Sequence, residues 1–292
     1  MTAVPASGAV RPRRPGTARY VVLELLALAI VVLCVIGVDA KWERLLEAPA
    51  VAWNYLTLMA GGVLQNPFGD PTAEYWSTSF EAMLESLAMA WVGTVIGALL
   101  SIPFGFLAAS NVAPAAVVFV VRQILNAIRA VPDVILAIVL MVPIFGLGPL
   151  PGALAIGVGS VGTLGKLTSE VIEGISTGPV EALRSSGARP LQVLRWGVLP
   201  QVLPEILAFW LYRFEINIRA SAILGVIGAG GIGSYLGRVF DAREWDRVGI
   251  ALLVIIGVTM IVDQLSGAIR HRIIAGGGPV RTRAAQIEGT VG

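Results

Sequence analysis

The chain has 292 residues, 56% of them hydrophobic and 14% charged, with a net charge of +2 and a mean hydropathy of +0.80. Soluble domains carry about 25% charged residues, and 21 basic plus 19 acidic side chains cannot furnish the polar surface that a soluble chain of this length requires, so the composition is that of an integral membrane protein. A single cysteine, Cys34, and a single histidine, His271, exclude a disulfide framework, cysteine or multi-histidine metal sites and histidine-activated nucleophiles.

Residues 1–19 are rich in Pro, Gly and Ala, carry Arg11, Arg13, Arg14 and Arg19 without an acid, and read as a disordered basic tail. Residues 20–38 are apolar except for Glu24. At 1.5 Å per residue they span about 28 Å, close to the ~30 Å hydrocarbon core. The run is longer than a signal-peptide core, and no small-x-small cleavage site follows it, so a retained first helix is expected. Residues 39–81 hold six acids against two bases and read as an external segment. Within it, residues 50–64 are apolar with Trp53 and Tyr55 near the start, the pattern of an interfacial helix rather than a span.

Apolar blocks at 84–109, 115–146, 151–165, 199–224 and 248–269 complete six helices. The 115–146 block is about 48 Å as a straight helix, too long for one crossing. With Arg122, Arg129 and Pro132 in its first half, it is expected to begin in the cytoplasm and bend at the proline, with Asp133 at the restart. Charge supports this count. The segments 1–20, 110–132, 166–198 and 270–292 are each net positive, whereas 39–81 is net −4 and 225–247 is neutral. Basic loops stay on the cytoplasmic side, so both termini are expected inside. The transmembrane domain is expected over 20–274, and 275–292 as a flexible tail.

The longest cytoplasmic loop, 166–198, contains helix-start chemistry at Ser176-Thr177-Gly178-Pro179 and predicts a short helix outside the membrane. Glu181, Ala182 and Leu183, followed by Gly187 and then Leu199-Pro200, resemble the Glu-Ala-Ala loop of ABC importer permeases. Two positions depart from that motif: Leu183 replaces its second alanine, and Gly197 stands where isoleucine is usual. In such families this loop is a coupling helix that docks in a groove of an ATP-binding subunit. Its physical logic is a small lever: a short helix, a turn glycine and a helix-starting proline.

Three further segments narrow the resemblance: residues 126–133 (NAIRAVPD), residues 215–233 (EINIRASAILGVIGAGGIG), and residues 85–94 together with 103–111. They look like the phosphonate-type (PhnE-like) permeases of ABC importers, over most of residues 80–270. The resemblance implies an all-α, polytopic fold of the type I importer class, with a cytoplasmic coupling helix, in a bacterial plasma membrane. It also implies two identical permeases, two cytoplasmic ATPases and an external binding protein that delivers phosphonate, phosphate or phosphite. A methionine-type permease has a related glycine run and stays open, as does an ion-coupled secondary transporter, although no convincing internal repeat supports the latter.

Gly228, Gly230, Gly231 and Gly233 satisfy a dinucleotide-type glycine pattern, but that motif requires a soluble strand-turn-helix unit. At the end of a membrane helix they read either as a break, whose unpaired amides meet a phosphoryl oxyanion, or as small-residue packing. Charged side chains inside apolar blocks are expensive. Glu215 and Arg219 are spaced to pair along one helix, and Arg219, with Ser221 beside it, is the candidate anion-facing group. Arg213 lies nearby without an assigned role. Glu85 and Asp263 are expected near helix ends. The coupling residues expected are Glu181, Ala182, Gly187, Leu199 and Pro200. No phosphate-binding loop occurs in the sequence, so ATP and Mg are expected on a separate subunit. No catalytic or metal-ligating residue, bound cofactor or nucleic-acid partner is expected of this chain, which has membrane lipid as its remaining neighbour.

Overall fold

The computed structural model describes residues 17–38 and 40–276, so the two tails expected from the sequence lie almost wholly outside the described residues. These residues form helices and no strand, divided between two compact units, residues 1–54 and 55–292.

The first unit holds α1 (Thr17–Gly37) and the beginning of α2 (Arg44–Gln65). The described side chains of α1 are exposed along its whole length. A helix apolar on every face has no stripe to bury against a core, as suits one surrounded by lipid. α2 is longer than the expected 50–64 segment, but it falls outside the set of helices long and apolar enough to cross a membrane.

In the second unit, α3 (Thr72–Ala108) packs most extensively against α7 (Pro149–Glu173). Small residues make this possible. A Cβ on Gly93 would lie 2.8 Å from the Ala153 carbonyl oxygen, and one on Gly157 would lie 3.1 Å from Ile96 Cγ2. Side chains added at Gly97 and Gly105 would run into Ser160 and Thr168. Glycines four apart line one face of α3, so the two backbones approach closely, as small-residue seams allow between membrane helices.

Between them, α4 (Ala115–Ala130) stops at Val131, whose extended backbone (φ −96°, ψ 119°) is what a following proline favours. The chain restarts at Asp133 and runs through α5 (Asp133–Leu136), a π turn (Ala137–Met141) and α6 (Val142–Phe145). The angle between the two halves is 91°, the bend expected at Pro132. After α7 come α8 (Thr177–Ser185), α9 (Pro190–Val193), a π turn (Leu194–Val198) and α10 (Leu199–Leu224). A further π segment (Gly225–Ala229) leads to α11 (Gly231–Asp241) and α12 (Trp245–Gly276).

Among the described residues, four helices are long and apolar enough to cross a membrane, and the number rises to six where each bent pair counts as one span. These six correspond one to one with the expected blocks. The helices outrun their apolar stretches, α3 by beginning at Thr72 rather than 84, because hydropathy marks the lipid boundary whereas backbone hydrogen bonding carries the helix on into water.

Candidate coupling and translocation site

α8 stands clear of the bundle. Glu181 and Ala182 are exposed, Leu183 is half-buried, and Gly187 is exposed at φ +78°. The helix closes with Gly187 N donating to Arg184 O and Ala188 N donating to Leu183 O, each at 3.0 Å. That left-handed cap releases the chain toward Pro190, and glycine adopts it without steric cost. Leu199 is half-buried, and the exposed Pro200 opens α10, a position where its missing N–H costs nothing. The five residues expected to couple thus lie on one short helix, its cap and the start of the next membrane helix.

Side chains that the sequence analysis did not single out pin this segment at both ends. Glu173, at the end of α7, accepts from Ser110 N at 2.6 Å and pairs with Arg122 at 2.5 Å. Arg122 Nε also donates to Ala108 O, and Asn111 Nδ2 to Ile172 O. At the other end, Gln201 of α10 holds the Ser176 backbone twice, accepting from its N–H at 3.0 Å and donating to its carbonyl at 3.3 Å. Partners between 14 and 63 positions apart give no local pattern, so only the folded chain reveals these ties. The two departures from the Glu-Ala-Ala pattern also meet: a Cβ on buried Gly197 would lie 3.1 Å from Leu183 Cδ1.

The glycine run is a break in the helix, as one of the two readings expected. Gly228, Gly230 and Gly231 have φ of +101°, +86° and +64°, and the chain turns by 57° between Pro190–Ala229 and Gly231–Asp241. Gly233 backs so closely on the Ala222 carbonyl that a Cβ would collide with it. Two amides of the break, expected to be unpaired, are paired: Gly231 N donates to Glu85 Oε2 at 2.9 Å and Ile232 N to Ser86 Oγ at 3.0 Å. Glu85 therefore caps α11 from the body of α3 rather than lying near a helix end. The reason is that orphan N–H groups at a helix start need acceptors where water is scarce.

The expected pairing of Glu215 with Arg219 along α10 does not form. Arg219 instead pairs with Asp263 of α12 at 2.5 Å, the two side chains being 53% and 35% exposed, while Glu215 pairs with Arg270 at 2.6 Å. Both contacts tie α10 to α12. Cross-helix partners bring the charges together directly, whereas the spacing of four only places two side chains on one face. Ser221 is buried and donates to Ile218 O of its own helix at 2.8 Å.

Comparisons with known proteins follow this architecture. Residues 101–275 match the family model described as binding-protein-dependent transport system inner membrane component. Over 189 residues, 64% of this chain and 68% of the relative, the sequence is 44% identical to a phosphite transport system permease protein of Stutzerimonas stutzeri. It is 41% identical over 196 residues to a phosphate-import permease protein of Mycolicibacterium smegmatis, covering 67% of this chain and 37% of that one. A putative cryptic phosphonate transport system permease protein of Escherichia coli is 39% identical over 121 residues, 41% of this chain and 99% of its own length. Among solved structures, the inward-facing methionine ABC transporter MetNI has a chain that superposes with a TM-score of 0.61 at 23% identity, covering 70% of this chain and 99% of that one. This last likeness concerns the fold.

Proposed function

Since this chain belongs to the family of binding-protein-dependent transport system inner membrane components, we propose that it is the permease subunit of an ATP-driven importer for a phosphorus oxyanion, whether phosphonate, phosphate or phosphite. The substrate class is supported by relatives at 39–44% identity that are named for phosphite, phosphate and phosphonate transport. The observation that carries the coupling role is α8. It is a short exposed helix bearing Glu181 and Ala182, closed by Gly187 in a left-handed turn and delivered to Pro200 at the head of α10. A lever of this kind transmits motion because both of its ends are tied into the bundle while its outer face is free.

Two copies of this chain form the path, with two ATPases on the cytoplasmic side and a binding protein outside. Net-positive segments around α8 and at both ends support a cytoplasmic side for it and for both termini. ATP and Mg reside on the ATPases. Arg219, Ser221, Gly228, Gly230, Gly231 and Gly233 form the gate at the outer end of the path, where the broken helix lets α10 and α11 shift relative to one another. High affinity belongs to the binding protein, which leaves the membrane path a weak preference for anions.

The test is to purify the tagged protein from its native membrane in mild detergent and to measure whether an ATPase copurifies at one-to-one stoichiometry. Loss of the ATPase with Glu181→Ala and Gly187→Pro is the expected result. A purified chain that moves substrate down an ion gradient without any ATPase would refute the proposal.

A further inference from the structure

A second polar cluster lies inside the bundle, away from the coupling segment and the glycine break. It joins Thr94 of α3, Ser160 of α7, Asn217 and Arg213 of α10, and Asp133 at the start of α5. Thr94, Ser160 and Arg213 each stand near the middle of their helices, so the cluster sits at mid-depth, where ionisable side chains are costly and mark transport paths.

Two donors of the Arg213 guanidinium, Nε and Nη2, are held very differently. Nε donates to Ser160 Oγ at 2.9 Å. Ser160 also accepts from Asn217 Nδ2 at 3.1 Å, and Asn217 donates to Thr94 Oγ1 at 2.8 Å. Thr94 in turn donates to Ala90 O at 2.7 Å. Ser160 and Asn217 have no exposure at all. This is a rigid bracket that fixes the plane of the guanidinium.

The neighbouring Nη2 faces Asp133 Oδ2 at 3.4 Å, with Arg213 12% and Asp133 23% exposed. The pairs Arg219–Asp263 and Arg270–Glu215, by contrast, close to 2.5 and 2.6 Å. The loose carboxylate also rides on a separate element. Its half-helix is set off from α4 by the 91° bend at Pro132, contains the π turn Ala137–Met141 and packs on the bundle through buried Ala137 and Met141. Gly159 completes the arrangement, because a Cβ there would collide with Asp133 Oδ1.

We propose that Arg213 is the mid-membrane contact for the transported oxyanion and that Asp133 is its resident counter-charge, displaced with its half-helix when the anion arrives. The inference rests on the import reading above and names the residue that meets the substrate. A phosphoryl group offers two oxygens to the guanidinium, one to the Nη2 donor that Asp133 vacates and one to Nη1, an end-on pairing that arginine makes with phosphate. Between transport events Asp133 neutralises Arg213, which keeps an unpaired cation out of the membrane interior. Thr94, Asn217 and Ser160 are positioning residues that present the guanidinium.

The experiment uses the complete complex of permease, ATPase and binding protein in proteoliposomes, with uptake of phosphate, phosphite and methylphosphonate measured alongside copurification of the ATPase. Arg213→Gln is expected to lower uptake by about tenfold to hundredfold, the loss of one charge-assisted contact, with assembly retained. Asp133→Asn leaves Arg213 without the carboxylate that competes for it and is expected to lower the half-saturating substrate concentration for uptake, because the anion no longer has to displace that charge. The double variant Arg213→Gln/Asp133→Asn restores charge balance and is expected to stay defective. Recovery of uptake in the double variant, or equal damage from either single variant, makes the pair structural and overturns the inference alone. If Arg213→Gln does not assemble, Arg213→Lys decides: a raised half-saturating substrate concentration for ATPase stimulation is expected, and an unchanged one overturns the inference. A wild-type complex that takes up none of the three anions overturns the import reading itself.

Discussion

Leu183 and Gly197 depart together from the Glu-Ala-Ala pattern, and their contact gives that coincidence an energetic content that can be measured. Leu183 is half-buried on α8, and the space that a side chain at Gly197 would enter lies 3.1 Å from Leu183 Cδ1 and 3.5 Å from Val180 Cγ2. Leu183→Ala removes three carbons, and at about 0.8 kcal/mol per fully buried methylene a half-buried leucine loses about 1–1.5 kcal/mol. Gly197→Ile inserts a branched side chain against Leu183 and Val180, and overpacking of this kind costs about 1–3 kcal/mol. Combined, the two changes exchange large-over-small for small-over-large. The double variant is therefore expected to recover most of the loss, with a coupling energy of about 1–3 kcal/mol between the sites. The assay is a double-mutant cycle on the apparent unfolding midpoint of the detergent-purified complex, together with the ratio of substrate taken up to ATP hydrolysed. Effects that add within about 0.5 kcal/mol would show that the two residues do not hold α8 on the π turn before α10 through each other.

Three more outcomes are expected. Gly187→Ala meets no atom within 4 Å but must adopt φ +78°, so its whole cost is backbone strain of about 1–2 kcal/mol; weaker ATPase copurification should result, and Gly187→Asn, which tolerates that region, should be milder. Glu85→Ala leaves the Gly231 amide without its acceptor at a cost of about 1–3 kcal/mol, which amide exchange at Gly231 and Ile232 will read as faster than in Glu85→Gln. Arg219→Gln removes a half-exposed cation, so uptake is expected to fall only a few-fold at low salt. The deficit should shrink as ionic strength rises, since exposed charges act through a screened field.

The spans and their breaks were legible because each leaves a local trace: an apolar run for α1, Pro132 for the 91° bend, and a glycine cluster for the turn after Ala229. Local spacing also outlined α8 and the start of α10. The partners of charged residues were not legible. Glu215 and Arg219 look matched at a spacing of four, yet each finds a better-placed partner on α12, because side chains on neighbouring helices converge where the bundle brings their faces together. Glu85 was given no partner, and Gln201 and the Thr94–Asn217–Ser160 bracket went unnoticed, for the same reason. Each is an ordinary residue in its own helix and gains its role only from a group more than twenty positions away.

The seam between α3 and α7 has a mechanical consequence. At these glycines the side chains of Ile96, Ile156, Ser160 and Thr168 pack directly on the opposing helix, which leaves little slack in which one helix can slide past the other. Whatever rearrangement carries solute across must therefore be borne by the segments that are already broken, the half-helix after Pro132 and the turn around Gly230. α3 and α7 then serve as the stationary frame, a built-in ruler against which displacement of every other helix can be gauged.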